Sequence, residues 1–260
     1  GGLQFRGVFK DIITNKKAND LKSNFLKKKI SAVVKNKNFA KILTNFDHPY
    51  GCKRPPIDTN YFETFNKENV NLIDLKNDPI IEIDKKGIKT KNNYFKLDTI
   101  VFATGYDAMT GTLINLNITG EKDLKLKDYW KEGPKTYLGL QIPGFPNMFT
   151  ITGPGSPSVL TNMPTAIEQH VEWVTDCISH MMKKNYIKVS TTEKKSQYWG
   201  KQVKEAADRT LLPTVKHSWY LGANIPNKPR VFMPYAGGLP NYSKICENVK
   251  KNNYDGFVFS

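Results

Sequence analysis

Apolar residues repeat at helical spacing through the first fifty residues of the chain. The repeat predicts an amphipathic helix capped by Asn19 and Asp20, followed by a shorter helix near Phe39–Leu43. The predicted core face of the first helix consists of Leu21, Phe25, Leu26, Ile30, Val33 and Val34. The intervening positions are largely basic, so residues 1–50 are expected to form a helical insertion without chemistry of its own.

The pattern changes to short strands after residue 50. Strands are expected at Asn69–Leu72 and Pro79–Ile83, and a turn at Asp84–Gly87 leads into a small antiparallel piece through Ile88 and Tyr94–Lys96.

An apolar run, Leu97–Ala103, then ends in Thr104 and Gly105. Because apolar residues occupy both of its faces, the run predicts a buried parallel strand of an α/β sheet. A small-residue turn at the carboxyl end of such a strand lets a ligand approach the backbone closely.

A second strand is expected at Phe149–Thr152, where it enters a glycine- and proline-rich loop, Gly153–Ser158. A long helix should follow, with Asn162 as its cap and Pro164 in its first turn. Its predicted core stripe is Ile167, Val171, Val174, Ile178 and Met181. A strand, a tight loop and a helix N-terminus together form a recurrent site for anionic ligands.

Two more helices are expected before the chain ends. The first covers residues 190–212 and buries Trp199, Val203 and Ala207. The second is shorter and lies near Tyr242–Val249.

The charge balance changes this picture little. Lysine and arginine number 39 against 24 acidic residues, which gives a net charge of +15 over 260 residues. The lysines are spread along the chain, so they argue against a dedicated nucleic-acid surface. No apolar run approaches the roughly 18 residues that span a bilayer, and no signal peptide precedes the fold, so a cytoplasmic protein without a membrane partner is expected.

The cysteines and histidines carry little chemistry of their own. Cys52, Cys177 and Cys246 have neither a disulfide nor a metal-ligand spacing, and no metal site is predicted. The four histidines have no partner at catalytic spacing. The opening residues Gly1–Phe5 lack an initiator methionine, so the sequence is expected to begin inside a larger protein.

Four segments, in order along the chain, resemble the flavin-dependent (class B) Baeyer–Villiger monooxygenases. The match is closest in pattern to the phenylacetone-oxidising type and more distant from the cyclohexanone-oxidising type. The segments run over Cys52–Asn66, Phe102–Ala108, Gly153–Ser158 and Ser218–Pro226.

The resemblance implies an α/β fold, part of a flavoprotein with two Rossmann-like dinucleotide-binding domains. The family's Gly-rich fingerprints are absent, so only its C-terminal half is expected here, and the missing N-terminal half becomes a partner. The resemblance then implies that residues 51–97 belong to the NADP domain and 98–260 to the FAD domain with its substrate-pocket loops.

The resemblance also assigns roles to individual residues. Arg54 is the implied catalytic residue, because oxygen becomes negatively charged in the family's reaction and a guanidinium can stabilise it. Lys53, Arg54 and Trp219 are the implied NADP-binding residues, with Lys53 on the 2′-phosphate and Trp219 on a ribose. A solvated lysine remains the plain alternative for Lys53, and a core tryptophan for Trp219.

The remaining implied residues concern FAD and the ketone. Met163, Thr104, Gly105 and Asp107 are expected to bind FAD, although Met163 could equally be a core residue. Ser158, Val159, Leu160 and Thr161 resemble the loop that shapes the substrate pocket, and its length favours bulkier or aryl ketones.

The expected function is therefore FAD- and NADPH-dependent insertion of one oxygen of O2 beside a ketone carbonyl, giving an ester or lactone, with the fragment alone inactive. Two alternatives stay open. One is a flavin monooxygenase that oxygenates nitrogen or sulfur. The other is a basic binding fragment without catalysis.

Overall fold

The computed structural model describes residues 9–260. The helices are α1 (Lys16–Val33), α2 (Lys37–Leu43), α3 (Tyr61–Thr64), α4 (Gly111–Asn115), α5 (Leu126–Tyr129), α6 (Met163–Lys184), α7 (Glu193–Asp208) and α8 (Leu239–Lys251). The strands are β1 (Ile80–Asp84), β2 (Gly87–Thr90), β3 (Tyr94–Lys96), β4 (Val189–Thr191) and β5 (Phe257–Phe259). Short 3-10 helices lie at Glu121–Asp123, Ser158–Leu160, Leu212–Thr214 and Trp219–Leu221. The opening segment Gly1–Phe5 lies outside the described residues.

The two predicted N-terminal helices form, but the first begins earlier than expected. Asn15, not Asn19, caps α1, and its side chain accepts hydrogen bonds from the N–H groups of Lys17 and Ala18. Asn19 is instead fully buried inside the helix. The predicted core face is also partly wrong, because Leu21 and Phe25 are exposed whereas Ile30 and Val34 are buried.

The small antiparallel sheet is confirmed. β1 pairs with β2 and β2 pairs with β3, both antiparallel, and the Asp84 carboxylate accepts the Lys86 and Gly87 N–H groups at the first turn. The strand predicted at Asn69–Leu72 does not form; that segment is irregular.

The apolar run at Leu97–Ala103 is not a buried strand in the structure. It has no strand partner within residues 9–260, and Val101 and Phe102 are 83% and 68% exposed. A parallel strand takes its hydrogen bonds from neighbouring strands. Both sheets within the described residues are antiparallel, so nothing there pairs with this run.

The strand predicted at Phe149–Thr152 is reduced to one bridge, between Phe149 and Gln141. Residues Ile151 and Thr152 turn instead, and Thr152 takes a left-handed φ of 53°. The Thr150 N–H donates to the Leu140 carbonyl, so the segment is still tied to a neighbouring loop.

The main core lies between α6, α7 and α8. Two tryptophans on α6 and α7 are fully buried in it: Trp173 donates to the Cys246 carbonyl and Trp199 donates to the Gly155 carbonyl. The antiparallel pair β4 and β5 closes the same core. The cluster comprises Tyr137, Leu138, Leu140, Trp173, Cys177, Met181, Val189, Trp199, Val203, Tyr235, Tyr242, Cys246, Val249, Tyr254 and Phe257.

The long helix α6 follows Asn162 with Pro164 in its first turn, as predicted, but it buries a different face. The residues that pack inward are Ala166, His170, Trp173, Cys177 and Met181. Of the predicted stripe only Met181 is buried, while Ile167, Val171 and Ile178 are 39–47% exposed. The helix therefore presents an apolar face to solvent.

The three cysteines are all buried and form no disulfide bond, which agrees with structural thiols. Burial raises the pKa of the Cys177 and Cys246 thiols to about 12. Among the helices of residues 9–260, none combines the length and apolar character that a bilayer crossing requires.

Candidate active site

The loop that carries Lys53 and Arg54 is anchored by a buried asparagine. The Asn19 amide donates to the Tyr50 carbonyl and its oxygen accepts the Tyr50 N–H, each at 2.8 Å. The same amide also donates to the Ile12 carbonyl at 2.7 Å. A single side chain on α1 thus fixes the loop backbone three residues before Lys53. Sequence reasoning placed Asn19 at the helix cap and missed this role.

The Arg54 side chain extends from this loop into solvent. It is exposed, and within residues 9–260 its guanidinium has no hydrogen-bond or ion-pair partner. With Pro55, Pro56 and Ile57 it lines an open cavity of about 420 Å³. A cation that no carboxylate of the described residues neutralises can bind an anionic atom at full charge.

Lys53 lies in a cluster of charges around Asp47. Its Nζ is 4.0 Å from one carboxylate oxygen of Asp47, and the Nζ of Lys76 is 3.9 Å from the other. His48 Nδ1 makes the closest contact, at 2.9 Å. This hydrogen bond, with the nearby cationic charges, holds the pKa of Asp47 below its ordinary value. Asp47 was missed by the sequence reasoning, although it lies only six residues before Lys53.

Trp219 occupies a 3-10 turn that Ser218 caps by accepting the Tyr220 N–H. The indole is half-buried and packs edge-on against Tyr220, with ring centroids 4.5 Å apart. Its N–H has no hydrogen-bond partner within the described residues, so it remains available to a ligand.

One apolar cluster joins two of the four sequence segments that suggested a function to the expected pocket loop, Ser158–Thr161. We call it the motif cluster; it packs buried Cys52, Leu160 and Tyr220 with half-buried Val159 and Trp219. Its other buried members are Ala207, Leu212, Val215 and Phe232. The Lys53–Arg54 loop, the expected pocket loop and the Trp219 turn therefore belong to one packed unit.

The four expected pocket residues do not all face a pocket. Ser158 is buried, with a left-handed φ of 42°, and its hydroxyl contacts the Met109 sulfur at 3.6 Å. Leu160 is buried in the motif cluster, Val159 packs against the cluster half-buried, and Thr161 is half-buried beside them in sequence. Only the last two have side-chain surface that a substrate could contact in this structure.

Thr104, Gly105 and Asp107 lie in an exposed segment that leads into a turn at residues 108–110. Gly105 has φ +90°, and a Cβ placed there would meet no heavy atom within 4 Å, so the backbone conformation rather than crowding favours glycine. The Asp107 carboxylate forms an ion pair with Lys228. Lys228 was not singled out from the sequence.

Met163 is the first residue of α6 and is half-buried. The side chain of Asn162, which precedes it, makes no capping hydrogen bond. The N-terminus of this 22-residue helix therefore keeps its positive potential and unpaired N–H groups for another acceptor.

The comparisons with known sequences give one consistent result. No protein-family model matches the chain. It is 40% identical over 259 residues to a cyclohexanone 1,2-monooxygenase from Acinetobacter sp., and 39% identical over 260 residues to a Baeyer-Villiger monooxygenase from Pseudooceanicola batsensis. It is also 36% identical to phenazine N-monooxygenase PhzNO1 from Lysobacter antibioticus. Each alignment covers 99% of this chain and 47% of the relative.

Solved structures agree with these relatives. The chain matches an oxidised steroid monooxygenase bound to NADP at TM-score 0.91 and 44% identity. It matches a cyclohexanone monooxygenase from Rhodococcus sp. Phi1 bound to NADP+ at 0.95 and 34%, and OTEMO in complex with FAD and NADP at 0.92 and 39%. These matches cover 97–100% of this chain and 46–49% of each structure. The α/β class is confirmed, and the chain spans about half the length of the proteins it matches.

Proposed function

We propose, because the chain is homologous to the C-terminal half of the Baeyer–Villiger monooxygenases, that it forms this half of an FAD- and NADPH-dependent enzyme. The proposed reaction inserts one oxygen atom of O2 next to a ketone carbonyl and gives an ester or lactone. The observation that supports it most directly is the unpartnered guanidinium of Arg54, on a loop that the motif cluster holds beside Trp219.

Arg54 is the proposed catalytic residue. When bound, FAD supplies the activated oxygen and NADPH supplies the hydride that reduces FAD. Arg54 stabilises the oxygen of the ketone as that oxygen becomes negative, because its guanidinium stays protonated and offers several N–H donors in a fixed plane. Its exposure and lack of a carboxylate partner within residues 9–260 fit that task.

Together with Arg54, Lys53 and Trp219 are the proposed NADP-binding residues. The Lys53 ammonium binds the 2′-phosphate, which is a dianion. This contact replaces the one with the Asp47 carboxylate, which lies 4.0 Å away. The Trp219 N–H donates to a ribose oxygen, since an indole nitrogen can only donate.

The N-terminus of α6 and the Thr104–Asp107 segment are the proposed FAD-side elements. The backbone of Met163 lies where the positive helix end favours negative charge on reduced flavin. Thr104 and Gly105 offer exposed backbone for close approach. The Asp107 carboxylate is already paired with Lys228, so we propose that Asp107 acts by holding the conformation of this segment.

The ketone is proposed to lie against Val159 and Thr161, the expected pocket residues with accessible side chains. Ser158 and Leu160 support this loop from inside. The preference for bulkier or aryl ketones, which rests on loop length, stays a prediction, as do the cytoplasmic location and the assigned domain boundaries.

The half of the enzyme that this chain lacks is the proposed protein partner. Val101 and Phe102 are 83% and 68% exposed, although their sequence predicts burial in a sheet, and nearby Tyr106 is 88% exposed. α6 exposes Ile167, Val171 and Ile178 in the same way. Apolar faces of this kind are normally covered by protein, and the proteins matched here are about twice as long as this chain.

A second candidate is oxygenation of a nitrogen atom. The relative named phenazine N-monooxygenase, 36% identical over the whole chain, supports it. A substrate nitrogen attacks the activated oxygen with its own lone pair, so no negatively charged oxygen forms on carbon and this reaction needs Arg54 less. Replacing Arg54 with alanine therefore separates the two candidate functions.

The test uses this chain joined to the complementary half of a relative, with Arg54→Ala, Arg54→Lys and the exposed control Arg209→Ala. We expect Arg54→Ala to lower ester formation by about 100- to 1000-fold while NADPH still reduces the flavin, and Arg54→Lys to restore little because it lacks the planar fork. Product analysis and stopped-flow absorbance give both rates. Ester formation by Arg54→Ala near the rate of Arg209→Ala would reject this role.

A further inference from the structure

We infer that Lys228 is a positioning residue that ties the loop carrying Trp219 to the segment carrying Thr104 and Gly105. The identity of the ligands on either side rests on the proposed function; the tie itself rests on contacts within this chain. The sequence segments it joins are about 120 residues apart.

Three polar contacts form the tie. The Lys228 ammonium makes an ion pair with the Asp107 carboxylate and donates to the Ala108 carbonyl at 3.2 Å. The Asn224 amide donates to the Tyr106 carbonyl at 2.9 Å. Two side chains of the Trp219 loop therefore hold the backbone and the carboxylate of three consecutive residues in that segment.

The ion pair is more enclosed than the others. The Lys228 side chain is 12% exposed, whereas the other lysines in ion pairs of residues 9–260 are 29–76% exposed. Exposed pairs contribute little, but removing the Asp107 carboxylate, itself 38% exposed, leaves the enclosed Lys228 ammonium without its counter-charge. This pair is thus the one expected to restrict motion.

Both partners are also held on their own side of the tie. The Lys228 stem packs on Gly222, where an added Cβ would lie 3.0 Å from it, and Arg230 donates to the Gly222 carbonyl at 2.6 Å. Asp107 packs on Gly111, where an added Cβ would lie 2.6 Å from it. These contacts restrict the positions that the Lys228 ammonium and the Asp107 carboxylate can take.

The consequence concerns the relative position of the two cofactor sites. Trp219 begins the 3-10 turn that Gly222 caps, so the Lys228 stem packs against the C-terminal end of this turn. Gly105 and Thr104 lie two and three residues before Asp107. Lys228 therefore holds Trp219, on the proposed NADP side, in a fixed position relative to Thr104 and Gly105, on the proposed FAD side. Replacing Lys228 should loosen both segments together.

Tryptophan fluorescence of the 260-residue chain reports this directly. Trp130, Trp173 and Trp199 are at most 3% exposed, so acrylamide quenches mainly Trp219. Lys228→Met should raise the quenching constant about twofold by letting the loop open. Lys216→Met, an exposed lysine in the same stretch, is the control and should not change it.

Hydrogen exchange distinguishes a tie between two segments from support of one loop. Thr110, Ile114 and Leu116 carry the first hydrogen-bonded amides that follow the tie. Lys228→Met and Asp107→Asn should each speed amide exchange in both 110–116 and 218–230, roughly tenfold, and the double variant should add little. Loosening of 218–230 alone, or additive effects, would overturn the inference. These readouts need neither cofactor nor ketone, so failure of the proposed function would leave them unchanged.

Discussion

His170 on α6 is fully buried, yet both ring nitrogens have partners. Nδ1 accepts the Thr152 N–H at 2.9 Å, and Nε2 lies 2.9 Å from the Tyr242 hydroxyl. Tyr242 uses its own proton on the Leu138 carbonyl at 2.6 Å, so Nε2 must carry the imidazole proton. A second proton on Nδ1 would face an N–H donor. Burial accordingly lowers the pKa of His170 to about 4.

This arrangement predicts acid destabilisation with a defined window. The unfolded histidine has its ordinary pKa of 6.5, so between pH 6.5 and 4 the unfolded state binds more protons and stability falls as pH falls. The loss should reach about 2.5 kcal/mol near pH 4.5. Urea unfolding of His170→Gln should lack this component, whereas the exposed control His217→Gln should retain it. Parallel pH curves for wild type and His170→Gln would contradict the assignment.

Lys53 carries a prediction about cofactor choice. In the assembled enzyme, Lys53→Ala should raise the Michaelis constant for NADPH far more than that for NADH, because only NADPH loses a phosphate contact. A charged hydrogen bond of this kind is worth about 1.5–3 kcal/mol. Lys67→Ala, an exposed lysine on a nearby loop, serves as the control. Equal losses for both cofactors would show that Lys53 does not bind the 2′-phosphate.

At the scale of elements, α6 shows what periodicity can decide. Its start at Asn162 and Pro164 was predictable because cap and first-turn residues act locally. Its buried face was not, because both faces are apolar: Ile167 and Val171 alternate with His170 and Trp173. Hydrophobic spacing finds the helix, but the partner that each face packs against decides which face is buried here.

The exposed face gives a sharp contrast between neighbouring positions. Val171→Glu should change the unfolding free energy of the 260-residue chain by less than about 0.5 kcal/mol, because the side chain is 47% exposed. Trp173→Ala should cost about 3–5 kcal/mol, because it empties the main core. Urea titration of both variants provides the comparison. A large loss from Val171→Glu would mean that this face is already packed.

The Lys53–Arg54 loop shows why the site was only partly predictable. The adjacent basic residues were visible in the sequence, and their segment resembled a known family. The asparagine that holds this loop was not, because Asn19 acts through a contact that local sequence does not encode. Asn19 reaches Tyr50 over 31 residues, and an asparagine near a helix start is ordinarily a cap.

At the scale of the whole molecule, the predicted parallel strand explains the largest difference between sequence and structure. The run at residues 97–103 has the composition of a strand covered on both faces. Within the described residues it has no strand partner and is mostly exposed. Its composition therefore fits a longer molecule, as the length of the matched proteins suggests.

Cofactor retention should follow assembly with the complementary half. The isolated 260 residues should bind neither FAD nor NADPH tightly, because the sequence has no G-x-G-x-x-G loop whose N–H groups could cradle a pyrophosphate. Isothermal titration tests this, and micromolar FAD affinity of the isolated chain would contradict it. Co-expression with the complementary half of a relative should give a complex that retains FAD.

A charge placed on the exposed run should prevent that assembly. Phe102→Asp puts a carboxylate where we propose that a sheet covers the chain, and burying an unpaired charge there costs several kcal/mol. Leu116→Asp is the matched control, since Leu116 is 62% exposed against 68% for Phe102 and lies just after α4. The flavin content of the co-purified complex should fall for Phe102→Asp and stay unchanged for Leu116→Asp. Equal flavin contents for both variants would show that the run at 97–103 is not the surface that the other half covers.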